Sequence, residues 1–384
     1  MLYQQAPAGD RIQLSSSVFD PVSLEQYFRP YHINFYNSGT SALAALITAA
    51  IKINNISNPE IIIPAYGCPD LVSAILYARA KPVFIDLIPN RPWMDLNQLS
   101  QRITSKTVSI IAVNFLGIPE QLKQLRSIAQ EHNLFLIEDN AQTFPVNNTP
   151  SSFTGEQAIL SFGRGKPVNL LTGGAVLYRD ANIKTALSGI ERNSDHLLPE
   201  RLTYDLQVKL FNMLVSPYIY GIIAVLPFLH LGETRYKKLN RIKEINNRAI
   251  ECLYGNISRY LLRETKIQDK YTQLLSNFDK NKLINLPVIC CNGKLPRLLR
   301  YPILVTDQNL RDEIYQELKH AGIGVSLMYP GIIPEICGFK YMIKTKIEYC
   351  NAIEFSKKIL TLPTHARVTE KDINKIHTIL SNLI

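Results

Sequence analysis

Three features of the sequence predict an α/β protein built on a largely parallel sheet. Short apolar runs suited to buried strands recur at Glu60–Pro64, Ala80–Asp86, Val108–Asn114 and Leu134–Asp139. Helix-patterned stretches lie between them, and strands alternating with helices favour parallel pairing with helices on both faces. The chain has 384 residues, 46% hydrophobic and 19% charged, enough to bury the core of one large domain and a smaller one. The division is expected near residue 240, with 1–240 as the large domain and 241–384 as the small α/β domain.

The formal net charge is +10 and the pI about 9.2, but the basic residues are dispersed, which argues against a nucleic-acid surface. A positive balance suits anionic small molecules or an acidic membrane surface. The six cysteines form no CxxC pair and no metal-ligand spacing, so neither a metal site nor a disulfide framework is expected. Met1–Arg11 lacks the basic region and apolar core of a signal peptide. A reducing, cytoplasmic location is the expectation.

Residues 1–30 read as an irregular lead. A short strand at Ile33–Tyr36 then runs through Ser38, Gly39, Thr40 and Ser41 into an Ala/Leu-rich helix. A helix N-terminus offers free N–H groups and a positive dipole end, so this turn is either an anion cup or an ordinary Ser/Thr cap. The strand at Leu134–Asp139 ends in two carboxylates. Ligands of open α/β sheets bind outside the carboxyl ends of strands, which puts Asp139 where chemistry is expected and leaves Glu138 to a structural role.

The stretch Ile159–Val176 dominates the chain. An apolar entry delivers Ser161, a loop with Gly163 and Gly165 presents Lys166, and Gly173-Gly174 leads into a second strand. A lysine held in a dry site has a lowered pKa and a nucleophilic amine, as a Schiff-base lysine requires. The other reading is a solvated turn lysine. A G-x-x-x-x-G-K-[ST] phosphate loop fails, because Leu160 replaces its first glycine and Pro167 its hydroxyl residue.

Leu210–Gly232 contains no Asp, Glu, Lys or Arg, and Pro217 and Pro227 interrupt it. It lies within an apolar insertion of about 205–235, flanked by Lys209, Arg235, Lys237 and Lys238. Core or dimer interface, membrane-surface contact, and a true span are the three readings. Beyond it, Leu239–Leu262 reads as a long helix, Leu299–Val305 as a strand and Arg311–Ala321 as a helix. Gly322–Ser326 with Tyr329-Pro330 is expected to complete a βαβ-like piece, and Tyr329 is a residue that can face a substrate. The tail is a strand at Ile359–His365 and a helix capped by Thr369, with Glu370 and Asp372 in its first turn.

Ser-Gly-Thr-Ser before a helix, Glu-Asp-Asn-Ala-Gln at a strand end, and Ser-Phe-x-x-x-Lys followed by Gly-Gly form an ordered set. The set resembles the DegT/DnrJ family of fold-type I, pyridoxal-phosphate-dependent sugar aminotransferases, from about Tyr36 to Val176 and again in the C-terminal third. The resemblance implies a mostly parallel, seven-stranded-type sheet and pyridoxal phosphate as cofactor. It makes Lys166 the Schiff-base lysine and general acid–base, and sets Asp139 against the pyridine nitrogen. Gln142 then lies near the phenolic oxygen, and Gly39, Thr40, Ser41 and Ser161 hold the phosphate. Cys68, Pro69 or Tyr66 covers the ring face.

It further implies a homodimer that transfers an amino group, with glutamate as donor, to a nucleotide-linked keto sugar for surface-polysaccharide or secondary-metabolite synthesis. The chain departs from the family pattern at Gly67-Cys68, at Asn114 and at Pro167. It also lacks a clear Gly-x-Asn-x-Arg segment between Glu191 and Arg241, where Asn212 is a weak counterpart. A sugar dehydratase or other lyase on the same fold is the rival enzyme. A cofactor-binding regulator, or a membrane-associated protein without turnover, is the rival outside enzymes.

Overall fold

The computed structural model describes residues 3–8, 10–14, 26–145, 155–193, 200–224, 234–291, 295–339 and 349–384. Its first half alternates as expected: β1 (His32–Tyr36), α1 (Gly39–Asn54), β2 (Glu60–Pro64), α2 (Asp70–Tyr77), β3 (Lys81–Ile85), α3 (Leu96–Arg102), β4 (Thr107–Val113), α4 (Leu122–Glu131) and β5 (Phe135–Asn140). β6 (Gln157–Ser161), β7 (Gly174–Tyr178) and α5 (Ala181–Ser188) follow.

The strands form one seven-stranded sheet in the order β1-β7-β6-β5-β4-β2-β3. β2 through β6 pair in parallel, and only β7 runs against its neighbours β6 and β1. Helices cover both faces, so strands such as β2 and β4 are buried along their whole length. α1 packs against the sheet and against α2 and α5, and ten of its residues are buried.

α6 (Glu200–Leu214) and α7 (Pro217–Ala224) meet at an 85° bend, and among the described residues no single helix is long and apolar enough to cross a membrane. Tyr204 and Val208 of α6 are buried in the layer behind β6 and β7. The opposite side is an exposed apolar ridge: Leu202 (72% exposed), Leu206 (68%), Leu210, Met213, and then Tyr218 (66%) and Ile222 of α7. The ridge is therefore not core. The part of the uncharged run beyond Ala224 lies outside the described residues.

The long helix begins later than Leu239. α8 spans Asn247–Leu262, because Asn246 caps it by accepting the N–H groups of Arg248 and Ala249, while Asn37 and Asn193 hold residues 242–244 in an extended course. α9 (Lys266–Leu275), β8 (Leu283–Asn285), α10 (Leu286–Cys290), β9 (Arg300–Val305), α11 (Gln308–His320), α12 (Ile333–Ile336), α13 (Cys350–Lys358), β10 (Ile359–Pro363) and α14 (Glu370–Leu383) complete the chain. Thr369 and Asp372 form a capping box at the start of α14.

The second sheet, β10-β9-β8, is antiparallel, and Ser326, after α11, bridges Thr361 of β10 in the antiparallel sense; it therefore runs parallel to β9, so that β9, α11 and Gly322–Ser326 form the expected βαβ-like piece. The N-terminal lead holds the start of that segment as well: Gln5 N–H donates to the Gly322 carbonyl at 2.9 Å, and Gln4 Nε2 to the Ile323 carbonyl at 2.8 Å. A Cβ on Gly324 would stand 2.6 Å from the Ala6 carbonyl oxygen, and Gly322 has φ +84°, so both positions require glycine. The lead continues across the molecule, where the Asn212 side chain bonds both backbone groups of Ile12 at 2.8 Å.

Candidate active site

A cleft opens at the carboxyl ends of the central strands. Three local devices build it. The first is the start of α1, where Ser38 caps the helix by accepting the Ser41 N–H at 3.1 Å and leaves Gly39 and Thr40 on the cleft wall. Gly39 approaches the end of β6 so closely that a Cβ there would lie 2.7 Å from Ser161 Cβ. The second is the end of β5. The third is the excursion from 162 to 173 between the paired residues Ser161 and Gly174. Its base is closed by Phe162 N–H to the Gly173 carbonyl and Leu170 N–H to the Phe162 carbonyl, and Gly165 (φ +73°) turns the chain into Lys166.

Of the residues singled out in the sequence, Gly39, Thr40, Cys68, Asp139, Gln142, Ser161 and Lys166 all line this one cleft. Ser41 does not. It is fully buried, with its N–H and hydroxyl both engaged by Ser38. Asp70, Phe115 and Tyr329 complete the working walls. Asp70 accepts the Thr40 hydroxyl at 3.2 Å, a link that their separation of 30 positions hides in the sequence.

Asp139 is buried, and Oδ1 accepts the Ala141 N–H at 2.8 Å, while Oδ2 makes no hydrogen bond among the described residues. Burial raises its pKa, against the opposing pull of that N–H and of the Lys166 ammonium. A carboxylate in this state gains most from a cationic N–H partner. Gln142 is clamped, accepting the Leu116 N–H and donating to the Tyr329 hydroxyl, both at 2.8 Å. Burial pushes the Cys68 thiol up to about 12, so it presents a small neutral wall. Tyr66 stays beneath, edge-on to Phe115, Tyr329 and Phe355.

Asn114, another departure, bonds Asn140 and the Glu120 N–H and is structural. Glu138 accepts the Gly155 N–H away from the cleft. Asn212 is occupied by Ile12, as described. Among the described residues no group of three or more His, Cys, Asp or Glu side chains is placed to hold a metal ion.

The arrangement can hold an anion at a helix N-terminus, set a carboxylate against a cationic ring nitrogen, and present an amine between them. Comparison with known proteins gives the family of the chain. Residues 22–197 and 244–381 match the model of the DegT/DnrJ/EryC1/StrS aminotransferase family, leaving 198–243 unmatched. The UDP-4-amino-4,6-dideoxy-N-acetyl-beta-L-altrosamine transaminase of Campylobacter jejuni strain 81-176 is 27% identical over 370 residues, 94% of this chain and 88% of that one. Among solved structures, S. venezuelae DesV superposes with a TM-score of 0.71 at 18% identity, covering 94% of this chain and 87% of that one. The Bacillus subtilis NtdA structure, described as having bound cofactor PMP, gives a TM-score of 0.69 at 18% identity, with 94% and 75% covered.

Proposed function

We propose that this chain, which belongs to the DegT/DnrJ/EryC1/StrS aminotransferase family, is a pyridoxal-phosphate-dependent aminotransferase acting on a keto sugar carried on a nucleotide, with glutamate as amino donor. The observation that carries the reading is the convergence of Lys166, Asp139 and the N-terminus of α1 on one cleft. The residues fit the cofactor. The N–H groups of Gly39 and Thr40 with the Ser161 hydroxyl would hold its phosphate, where the absence of a Cβ on Gly39 keeps the cradle open. Asp139 would hold a proton at the ring nitrogen, and Gln142, itself fixed by Leu116 and Tyr329, would stand near the phenolic oxygen. Cys68, lining the cleft as a neutral thiol, would cover one ring face.

When bound, the cofactor supplies an electron sink for the carbon bearing the amino group. Lys166 Nζ would hold the cofactor and then, as a free amine, carry the proton to and from that carbon. Phe115 and Tyr329 line the cleft and pack on Tyr66, and these rings would keep water from its floor. The name of the Campylobacter jejuni relative supports a nucleotide-linked substrate. Polysaccharide or secondary-metabolite synthesis is the setting we propose for it.

The test is covalent capture. Borohydride reduction of the protein with pyridoxal phosphate should add the cofactor's mass to the peptide carrying Lys166, and Lys166→Ala should abolish the label. Glutamate added before reduction should discharge it. Label on another lysine, or none, would sink the reading; label that resists glutamate would move it to a lyase or another donor.

The domain boundary near 240 remains our proposal, supported by the seven-stranded sheet lying before it and the three-stranded sheet after it. We also propose a cytoplasmic homodimer, which six free cysteines suit and whose second copy would cover the α6–α7 ridge. Light scattering of Leu206→Lys/Leu210→Lys should then report monomer. A persistent dimer whose ridge binds anionic vesicles would assign the ridge to a membrane surface.

A further inference from the structure

The loop that carries Lys166 has a second side. Pro167, Val168 and Asn169 wall a separate cavity, open to solvent on one side, that shares no residue with the cleft. Its other principal walls are Asp10 and Arg11 of the lead, with Arg259, Tyr260 and Arg263 at the end of α8. Its charges are badly balanced. Asp10 pairs with Arg263 at 2.8 Å and is the only carboxylate on the wall among the described residues. Arg259 donates to the Arg11 backbone carbonyl at 3.1 Å and has no carboxylate partner among the described residues. The Arg11 guanidinium has no hydrogen-bond or ion-pair partner among the described residues.

Two more guanidiniums stand behind the wall. Arg297 donates to the Tyr260 carbonyl at 3.0 Å and lies 5.1 Å from that ring's centre, with Arg263 at 5.4 Å. Arg367 is tied to the Val215 carbonyl through one nitrogen, and its other terminal nitrogen is buried without a partner among the described residues. Burial lowers the Arg367 pKa, and the nearby Arg11 and Arg259 lower it further, against the opposing pull of Asp10. Arg11 and Arg259 are exposed, so water screens part of their mutual repulsion, but an anion would relieve what is left, and the planar guanidinium fork matches phosphate oxygens in pairs.

We propose that this cavity binds a phosphate-bearing ligand through Arg11, Arg259 and Arg263. Two sources share that chemistry, a soluble phosphate ester and an anionic lipid headgroup. The second is suggested by the neighbourhood: Ile12, next to Arg11, is clamped by Asn212 of α6, the helix whose outer side is the apolar ridge. A ligand seated there would press on residues 167–169 and so on the loop presenting Lys166.

The experiment uses protein saturated with pyridoxal phosphate, so that any phosphate site at the α1 end of the cleft is already filled. Inorganic pyrophosphate is titrated calorimetrically, and phosphatidylcholine vesicles with and without phosphatidylglycerol are tested by co-sedimentation. One probe should bind. Arg11→Gln and Arg259→Gln should each weaken it by about tenfold or more, the effect of one lost charge-assisted hydrogen bond. Asp10→Asn should tighten it, by freeing Arg263, whereas a merely structural ion pair would lower stability and leave affinity alone. Pyrophosphate binding alone assigns a soluble ester, and vesicle binding alone assigns a lipid. Binding of neither probe overturns the proposal, as does unchanged affinity in the arginine variants, or in Asp10→Asn should those fail to fold.

Discussion

Gly39→Ala tests the construction of the cleft most directly. The new Cβ would stand 2.7 Å from Ser161 Cβ and 2.9 Å from its Oγ. Carbon atoms in good contact lie at about 3.5–4.0 Å, so the start of α1 and the end of β6 must part by roughly 1 Å. Overpacking of this kind costs about 1–3 kcal/mol. The same displacement separates the α1 N–H groups from the Ser161 hydroxyl, the two sides of the proposed phosphate cradle. Loss of one charge-assisted hydrogen bond there weakens cofactor binding about tenfold to a hundredfold. Urea unfolding of the apoprotein and titration with pyridoxal phosphate read the two effects separately.

Ser161→Gly removes both clashing atoms and leaves Ser161 Cα at 3.4 Å, an ordinary contact. The double variant should therefore recover about 1 kcal/mol or more of the lost stability. Gly174→Ala is the control: its Cβ would meet Gly39 N and the Ser38 carbonyl group at 2.5 Å, all backbone, so Ser161→Gly should not rescue it. Unchanged stability and affinity in Gly39→Ala, or no recovery in the double variant, would refute this account of the cradle.

Two further outcomes follow from buried groups outside the chemistry. Glu120 accepts the N–H groups of Met94 and Gln121, and burial pushes its carboxyl up to about 8. Its folded pKa lies above the unfolded one, so its contribution is fully present at low pH and is lost as pH rises from about 4.5 toward 8; at about 1.4 kcal/mol per unit that is on the order of a few kcal/mol. Glu120→Gln should gain stability relative to the wild-type apoprotein between pH 5 and about 8, measured by urea midpoints, and a constant difference would refute the assignment. Asn212→Ala leaves the Ile12 N–H and carbonyl without partners, at about 1–2 kcal/mol. Limited proteolysis within the lead should accelerate in this variant, and equal cleavage rates would show that the clamp does not hold.

The large sheet was legible because strands buried on both faces, such as Ile61-Ile62-Ile63, must be apolar throughout and helices must separate parallel neighbours. The cleft was legible because anion cups, turn glycines and strand-end carboxylates each need particular residue types. What escaped depended on distance or on a single cap. Ser41 is the right type for the cradle, but Ser38 takes its N–H and hydroxyl. Gly322–Ser326 carries no local sign that residues 4–6 will claim it. Asn246 decided where α8 begins, against a run whose patterning extends further back. The apolar run from Leu210 announces itself by composition, but which side α6 buries follows from the 85° bend and from the seat of Tyr204 and Val208.

The N-terminal lead has a consequence for how the molecule is made. Gln5 donates to Asp372 across 367 positions of sequence, the Ala6 carbonyl faces the His365 ring, and Ala8 lies beside Gly165 in the lysine loop. At about 5–20 residues per second, a ribosome needs roughly 20 to 70 s to deliver the second partner after the first. The seven-stranded sheet, finished by residue 178, can assemble while the lead is still unclaimed. The flank of the lysine loop that Ala8 provides is thus fully seated only after Asn212, Gly322 and α14 have been made, so a nascent chain stalled before them would carry a folded sheet and an unseated lead.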